Sequence, residues 1–243
     1  LSPAPAENTG DGLSLATAAG GRIQDDVPNA AAWIPVSRVP YRDGTYGVFP
    51  HLIDRYKPGI IAVTRHGLRF TNESNSYHDV AQAMIAACRG EPETAAWLIT
   101  DHRAIGRYGL GFAKPFPLPL TPHIRSGYLL RGRTIEELAG KAGIDAAGLR
   151  RTIETFNIGA PRGEDPAFGK GSTAYNRYLG DANHKPNPCV APIARGPYYA
   201  VKVVVGDLGT FAGIRTDGHA RVIDAGQQPI PGLYAAGNDM ASV

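Results

Sequence analysis

Three short stretches of this 243-residue chain carry residue types that could bind a ligand or move a proton. In residues 8–12, Asp11 lies between two glycines, and in residues 237–239 a glycine precedes two polar residues. Glycine lets the backbone approach a ligand closely, and free N–H groups at such turns can bind anions or ring oxygens. The third stretch, residues 72–79, contains Tyr77, whose hydroxyl can donate or accept a proton. The first two stretches therefore predict ligand contacts, and the third predicts acid–base chemistry.

Regular elements must hold the two glycine stretches in place. Ile230 and residues 233–236 predict a short apolar strand, which ends where Gly237 lets the chain turn. Residues 13–21 predict an alanine-rich helix that begins with Asp11 or Thr9 as its cap and ends at two glycines. A plain strand end and a plain helix cap would explain the same residues without any ligand.

The stretch around Tyr77 is preceded by a predicted hairpin and followed by a predicted helix. Residues 59–63 predict a strand, a glycine turn follows, and residues 68–71 predict the returning strand. Ser76 can cap the helix. Apolar residues then recur at the spacing of one helix face: Val80, Ala83, Met84, Ala87 and Cys88. The alternative to a chemical role is a polar loop before a helix, with Tyr77 as a half-buried packing residue.

The rest of the chain predicts scaffold. Strands are expected at residues 96–100 and 197–205, and Thr134 and Asp145 are expected to cap two further helices. Residues 31–36 are apolar but contain a proline, so they predict a connection between elements.

Composition indicates a folded chain of mixed α and β structure. The chain is 43% hydrophobic and can bury a sizeable core, while 30 glycines and 20 prolines predict many turns. A net charge of +3 without a basic cluster argues against a nucleic-acid partner. Cys88 and Cys189 lack the spacing of a zinc site or a redox pair and are expected to be buried free thiols. No metal site is predicted.

The two glycine stretches together resemble a known family. Residues 229–238, Pro-Ile-Pro-Gly-Leu-Tyr-Ala-Ala-Gly-Asn, resemble the C-terminal flavin-binding signature of the succinate dehydrogenase/fumarate reductase flavoprotein superfamily. The similarity is greatest to its 3-ketosteroid dehydrogenase-like branch. Residues 8–12, Asn-Thr-Gly-Asp-Gly, resemble the segment that opens a helix after the family's dinucleotide-binding region. The resemblance implies FAD as the cofactor, in contact with Asp11, Gly237 and Asn238.

The stretch around Tyr77 resembles a motif of the same branch. Residues 67–77 resemble the pattern G-R-x-F-x-N-E-S-x-x-Y of the cap domain, but with Leu68 before the arginine, Ser76 where proline is common and His78 where an acid is common. In that motif the tyrosine faces the flavin across the substrate. The resemblance therefore implies that Tyr77 is a catalytic base or a substrate contact.

Two further positions are implied to meet the substrate. Gly209 and Thr210 match a glycine-threonine stretch that lies beside the flavin, although an ordinary β-turn would explain them equally. Residues 204–207 lack the histidines that fumarate reductases carry there, which favours an apolar ketone over a dicarboxylate. Arg103 can be compared with the proton-donating arginine of the reductases, but a solvent-facing arginine is the ordinary explanation.

The fold implied is α+β: a cap domain, residues 46–195, flanked by two segments of a Rossmann-like FAD-binding domain, residues 1–45 and 196–243. The implied activity is dehydrogenation of a CH–CH bond next to a ketone, with an apolar ketone such as a 3-ketosteroid as the expected substrate. A fumarate reductase-like protein, or a truncated chain without activity of its own, are the alternatives. No signal peptide or membrane helix is indicated, so a cytoplasmic location without a membrane partner is expected.

The sequence also lacks a motif that an FAD-binding domain needs. A dinucleotide's pyrophosphate is usually held by GxGxxG between a strand and a helix. That motif is absent, and the nearest run, residues 109–114, ends in Lys114 and continues into a proline. The family signature also continues into a Tyr-Pro-Gly motif, whereas this chain stops at Val243. The N-terminal and C-terminal parts of the same enzyme are therefore expected as partners.

We expect residues 1–243 alone to bind FAD only weakly, because the pyrophosphate has no cradle and ordering half a site costs entropy. Gel filtration after incubation with FAD, followed by absorbance at about 450 nm, measures the retained flavin. Flavin retained in a one-to-one ratio would contradict this expectation.

Overall fold

A computed structural model of the protein describes residues 1–242. The α-helices of this part of the chain are α1 Asp11–Ala18, α2 Tyr77–Ala87, α3 His102–Tyr108, α4 Thr121–Arg125, α5 Ile135–Ala142, α6 Ala146–Gly159 and α7 Ala174–Tyr178. The strands are β1 Ile23–Gln24, β2 Ala31–Pro40, β3 Tyr46–Pro50, β4 Ile60–Val63, β5 Ala95–Asp101, β6 Leu130–Gly132, β7 Tyr198–Thr210, β8 Gly213–Ile214, β9 Arg221–Ile223 and β10 Pro229–Tyr234. Short 3₁₀ helices span Asp54–Tyr56, Ala160–Arg162 and Gly237–Asp239. Among residues 1–242, no helix has the length and apolar character that crossing a bilayer requires.

The larger of two compact units comprises Ile34–Gly206 together with Leu1. Its sheet has the strand order β3-β2-β7-β5-β4, and β6 also pairs with β7. Strand β5 lies antiparallel to both neighbours, with Ile60 opposite Thr100 on one side and Tyr198 opposite Asp101 on the other. The start of β4 and the end of β5 therefore lie at the same edge of the sheet.

Alternate residues of the central strands pack into two separate cores. Ile60 and Leu98 belong to a core that includes α2 and α3, whereas Ile61 and Ile99 belong to one that includes α5 and α6. Because side chains alternate across a strand, helices must cover both faces of the sheet. This explains why every residue of β4 and β5 is buried.

The smaller unit comprises Ser2–Trp33 and the segment that begins at Asp207. Two antiparallel strand pairs, β1 with β8 and β9 with β10, accompany α1 in this unit. Its core is formed by Ala16, Ile214, Val222 and Ala235. Such a small core leaves much of the unit's polar surface open to ligands or other chain segments.

Several predicted elements are confirmed. Strands β4, β5, β7 and β10 occur where the apolar runs predicted them, although β7 continues to Thr210 and β10 begins at Pro229. The side chains of Ser76, Thr134 and Asp145 accept hydrogen bonds from the first turns of α2, α5 and α6, as predicted. Both cysteines are buried and free.

Other expectations about local structure were wrong. Residues 31–36 form the first part of β2, which pairs with β3 from Val36 to Pro40 and lies beside β7 on its other side. Residues 68–71 do not form a strand, because within residues 1–242 they contribute a single bridge, from Arg69 to Val63, and the chain then enters the buried loop before α2.

Two helix predictions also needed correction. Helix α1 has Gly10 as its N-cap, at φ 84°, and no side-chain cap, because Asp11 instead accepts a hydrogen bond from Thr9. The buried side of α2 includes Ala81 in place of Ala83 and Ala87.

The compact units have limits different from the expected domain boundaries at residues 45/46 and 195/196. They change at 33/34 and 206/207, inside β2 and β7. Most of both strands pairs within the central sheet, so their apolar residues belong to the core of the larger unit.

The turn at Gly67 tests how tightly α6 packs on the hairpin. Gly67 has φ +70°, and a Cβ there would lie 2.2 Å from the backbone nitrogen of Leu149. We expect Gly67→Ala to lower the free energy of unfolding by about 2–5 kcal/mol, from backbone strain and overpacking together. Urea denaturation of the whole protein measures this change.

Gly143 provides the matched control, because its φ is +69° and nothing lies within 4 Å of a Cβ there. Gly143→Ala should cost only about 1 kcal/mol, the backbone part alone. Equal losses of unfolding free energy in both variants would show that the contact with α6 adds nothing to the cost of a side chain at position 67.

Candidate functional site

A cavity of about 550 Å³ lies within the smaller unit and gathers most of the residues predicted to contact a cofactor or substrate there. Asp11, Gly209, Thr210 and Asn238 all line it, whereas Gly237 is not among the lining residues. Three separate chain segments thus meet: the start of α1, the end of β7 and the 3₁₀ turn after β10. Short motifs that are about 200 residues apart in the sequence therefore line the same cavity.

Carboxylates dominate this cavity. Glu7, Asp11, Asp207 and Asp239 line it, and none of the four forms an ion pair with a basic residue within residues 1–242. Asp11 and Asp207 accept hydrogen bonds only from hydroxyl groups, those of Thr9 and Ser2. Ionised carboxylates are acceptors only, so the cavity suits a ligand part rich in O–H and N–H donors and repels phosphate.

The glycines leave room for such a ligand. Gly209 has φ +148° and Gly237 has φ +72°, and nothing lies within 4 Å of a Cβ at either position. Gly12 differs, because a Cβ there would lie 2.5 Å from a carboxylate oxygen of Asp239. The backbone conformation thus favours glycine at positions 209 and 237, whereas a side chain at position 12 would displace the carboxylate of Asp239.

Tyr77 lies in the larger unit, as the first residue of α2, and is half-buried. Ser76 caps the helix by accepting a hydrogen bond from the backbone nitrogen of Asp79 at 3.1 Å. The chain enters α2 from residues 71–74, all of which are buried. The position of Tyr77 is therefore set by a buried polar loop on one side and a capped helix on the other.

A cluster of buried charges holds that loop. The guanidinium of Arg69 donates to both oxygens of Glu73, at 2.8 Å each, and to both oxygens of Asp165, at 2.7 and 2.9 Å. Lys170 is fully buried 3.5 Å from Glu73, and Glu73 also accepts a hydrogen bond from the Ala62 nitrogen of β4. Burial would raise the pKa of Glu73, but Arg69 and Lys170 outweigh it and hold that pKa below its usual range.

A second buried network fixes the loop that follows α3. His51 joins Asp54 at 2.6 Å and Ser37 at 2.8 Å, and Ser37 joins Tyr128 at 2.9 Å. Asp54 and Tyr128 in turn accept hydrogen bonds from the backbone nitrogens of residues 111 and 112. The hydrogen bonds link serine, histidine and aspartate in the same sequence as in the catalytic triad of a serine hydrolase, but Ser37 is only 1% exposed. A substrate has no access to it, so we assign the network a supporting role.

The sequence did not reveal these two networks. Arg69 and Glu73 are part of the matched motif, but Asp165 and Lys170 lie in a glycine-rich stretch with no visible periodicity. The one sequence signal for such networks is that acidic and basic residues occur together among apolar residues. Arg103, the other candidate, is exposed at the start of α3.

Comparison with known proteins shows the family of this chain. The FAD binding domain family matches residues 1–243. This chain belongs to that family. It is 51% identical to a 4-oxocyclohex-2-ene-1-carboxylate 5-dehydrogenase of Sinomonas cyclohexanicum over 96% of the chain and 40% of that protein.

Two 3-ketosteroid enzymes are also similar to the chain. A 3-oxosteroid 1-dehydrogenase of Mycobacterium tuberculosis is 38% identical over 97% of the chain and 42% of that protein. The crystal structure of a 3-ketosteroid delta1-dehydrogenase from Sterolibacterium denitrificans aligns with a TM-score of 0.88 at 38% identity, covering 99% of this chain and 42% of that one. The chain thus spans about two fifths of the length of the relatives it matches.

The residues present fit one part of FAD and not another. Carboxylates and open glycines suit the hydroxyl-bearing chain and the ring edges of a flavin, which offer O–H and N–H donors. They do not suit its diphosphate, for which the sequence also has no GxGxxG cradle. Asp11 and Asn238 are the residues that would hold the flavin part.

The buried charge cluster should dominate the stability of the larger unit. We expect Glu73→Gln to lower the free energy of unfolding by about 3–5 kcal/mol, because Lys170 and Arg69 then lose a buried counter-charge. Glu93→Gln is the control: Glu93 pairs with Lys202 at 2.6 Å, but both side chains are about half exposed. Its loss should cost no more than about 1 kcal/mol in the same urea titration. Similar costs for both variants would contradict a special role for burial.

The cluster also predicts a pH dependence. Arg69 holds the pKa of Asp165 below its usual range against the effect of burial, as it does for Glu73. Groups with lowered pKa values stabilise the fold above their unfolded pKa values of about 4, and that stability is lost as the pH falls through the lowered values. The unfolding free energy should therefore fall below about pH 4, and less steeply in Glu73→Gln.

Proposed function

We propose that this chain forms the substrate cap and part of the FAD-binding domain of an enzyme that dehydrogenates a CH–CH bond next to a ring ketone. The observation that carries the proposal is the placement of Tyr77 at the start of α2, directly after a loop held by buried ion pairs. A proton-transfer group must be held in one position to be effective, and these ion pairs supply that constraint.

In this proposal the larger unit is the cap, and the smaller unit provides two segments of a Rossmann-like FAD-binding domain without its GxGxxG unit. The similar proteins support this arrangement, because the chain matches only about two fifths of their length. The N-terminal and C-terminal remainder of the enzyme would supply the pyrophosphate cradle.

The chemistry requires a proton and a hydride to leave neighbouring carbons as the double bond forms. When bound, FAD supplies the hydride acceptor. The phenolate form of Tyr77 takes the proton from the carbon next to the carbonyl and becomes the neutral phenol, and that carbonyl makes the proton more acidic. Within the smaller unit, Asp11, Gly237 and Asn238 are the proposed flavin contacts, and Gly209 and Thr210 are the candidate ligand contacts at the end of β7.

The substrate class is a cyclic ketone. A fumarate-reducing function has less support, because the relatives that match at 51% and 38% identity are named for a cyclic keto acid and for ketosteroids. A panel of 3-ketosteroids, oxocyclohexenecarboxylates and fumarate, assayed with the whole enzyme and an artificial electron acceptor, separates the possibilities. Turnover of fumarate alone would refute the proposal.

A cavity of the larger unit, which Tyr77 does not line, has basic residues that suit a ligand with a carboxylate. His102, Arg103, Phe116 and Arg195 line an open cavity of about 400 Å³ in the larger unit. Neither Arg103 nor Arg195 donates a guanidinium hydrogen bond or forms an ion pair within residues 1–242. A ring could lie against Phe116 while the two guanidinium groups bind a carboxylate.

Substitution of Arg103 tests this substrate preference. With 4-oxocyclohex-2-ene-1-carboxylate, the substrate named for a relative, Arg103→Gln should lower kcat/KM by about 10- to 100-fold, the effect of losing a hydrogen bond to a charged group. The kcat/KM for the methyl ester of the same acid should not change in Arg103→Gln. Arg89→Gln removes an exposed arginine after α2 and should change neither rate. Equal losses for acid and ester would contradict a carboxylate contact.

Removal of the Tyr77 hydroxyl tests the proposed chemistry. In the whole enzyme, Tyr77→Phe should lower kcat by about 100-fold or more, as expected for a lost proton-transfer group, with little change in melting temperature. Tyr178→Phe is the control, because Tyr178 belongs to the same unit and is 78% exposed. Unchanged turnover with reduced stability in Tyr77→Phe would make Tyr77 a packing residue.

A further inference from the structure

The loop before Tyr77 has an unusual set of hydrogen bonds on its backbone. Three consecutive carbonyl groups, those of Glu73, Ser74 and Asn75, each accept a hydrogen bond from a side chain of a distant segment. Loop carbonyls usually bond to water, since loops run over the surface. Here the donors are buried, so the loop is fixed by the protein itself.

Arg55 is the first of these donors. Its side chain is completely buried, and its guanidinium donates to the carbonyls of His51, Glu73 and Asn75 but to no carboxylate within residues 1–242. One nitrogen, Nη2, has no partner in that part of the chain. Burial lowers the pKa of Arg55, which reflects the cost of removing its charge from water. An apolar residue would fill this space at lower cost, so packing alone does not explain the arginine.

Asn176 approaches the same loop from α7. Its amide nitrogen donates to the Ser74 carbonyl at 2.9 Å and to the Asn75 side chain at 3.1 Å. Its oxygen accepts from the Asn72 side chain at 2.9 Å, and Asn72 in turn accepts from the Ser74 nitrogen. The amide nitrogen and the oxygen of this 1%-exposed asparagine side chain thus bond to three loop residues, Asn72, Ser74 and Asn75.

Tyr56 adds a third contact, from its hydroxyl to the Asn75 carbonyl at 3.1 Å. Two residues later the chain enters α2 with Tyr77 as its first residue. Because a residue at a helix start takes its position from the preceding backbone, movement of the loop would move the Tyr77 ring. A displacement of about 1 Å can cost about 100-fold in rate.

We propose that Arg55 and Asn176 are positioning residues for Tyr77, acting by holding the carbonyls of residues 73–75 from two sides. The inference rests on the proposed role of Tyr77 in proton transfer. Neither residue needs to touch the substrate or the flavin. Their removal should therefore affect the chemical step more than substrate binding.

Asn176→Ala in the whole enzyme is the first test. We expect kcat to fall about 10- to 100-fold while KM changes less than about 2-fold, because a misplaced proton acceptor slows the chemical step only. Hydrogen–deuterium exchange at residues 73–79 should become faster. If Asn176→Ala does not fold, Tyr56→Phe is the alternative, because it removes the one hydroxyl that donates to the Asn75 carbonyl. It should give a smaller loss of kcat and a smaller increase in exchange.

Asn157→Ala is the matched control. Asn157 is half-buried, its amide nitrogen donates to the carbonyl of Ile193 at 2.9 Å, and its oxygen accepts a hydrogen bond from the Ile193 nitrogen at 2.9 Å, so it contacts neither residues 73–75 nor the charges around Glu73. This variant should lose stability without a change in kcat or in exchange at residues 73–79. An equal loss of kcat in both asparagine variants would show a general effect of destabilisation and overturn the inference.

A double-mutant cycle completes the test. If Asn176 acts through Tyr77, adding Asn176→Ala to Tyr77→Phe should cost no further turnover, whereas independent effects would multiply. Multiplying effects, or unchanged exchange at residues 73–79, would overturn the inference even if Tyr77→Phe is inactive. An active Tyr77→Phe variant would refute the proposed function. Faster hydrogen–deuterium exchange at residues 73–79 in Asn176→Ala would still show that Asn176 holds this loop in place.

Discussion

The buried charge of Glu73 is the constraint on which the candidate site depends. Glu73 is fully buried, and its negative charge is stabilised jointly by Arg69, Lys170 and the Ala62 nitrogen of β4. Breaking one partner away leaves an uncompensated charge in a medium that cannot solvate it. The loop, the central sheet and the segment around Asp165 are therefore locked together. The position of Tyr77 follows from that lock, since α2 begins at Tyr77, four residues after Glu73.

The smaller unit is organised on the opposite principle. Its candidate site is open, lined by carboxylates without basic partners within residues 1–242, and shaped by glycines with free space around them. Such a site is completed by a ligand that brings hydrogen-bond donors, and a flavin does so. Rigid preorganisation in one unit and open acceptor groups in the other match the two tasks proposed for them, proton transfer and cofactor contact.

How much could be predicted depended on the sequence distance between interacting residues. The caps of α2, α5 and α6 were predictable because Ser76, Thr134 and Asp145 act within three residues of themselves. Strands β4 and β5 were predictable from their apolar runs. By contrast, Arg69 meets Asp165 across 96 positions, and no local pattern reports such a contact. Similarly, β2 becomes a strand only because β3 and β7 pair with it.

A crystal structure of the whole enzyme with FAD and a cyclic enone product bound is the most direct test of the role of Tyr77. We predict that the Tyr77 hydroxyl lies within about 3.5 Å of the ring carbon that loses its proton, the reach required for transfer. We also predict that residues 73–75 keep their hydrogen bonds to Arg55 and Asn176. A Tyr77 hydroxyl buried in the core of α2, with another group at that carbon, would contradict the central claim.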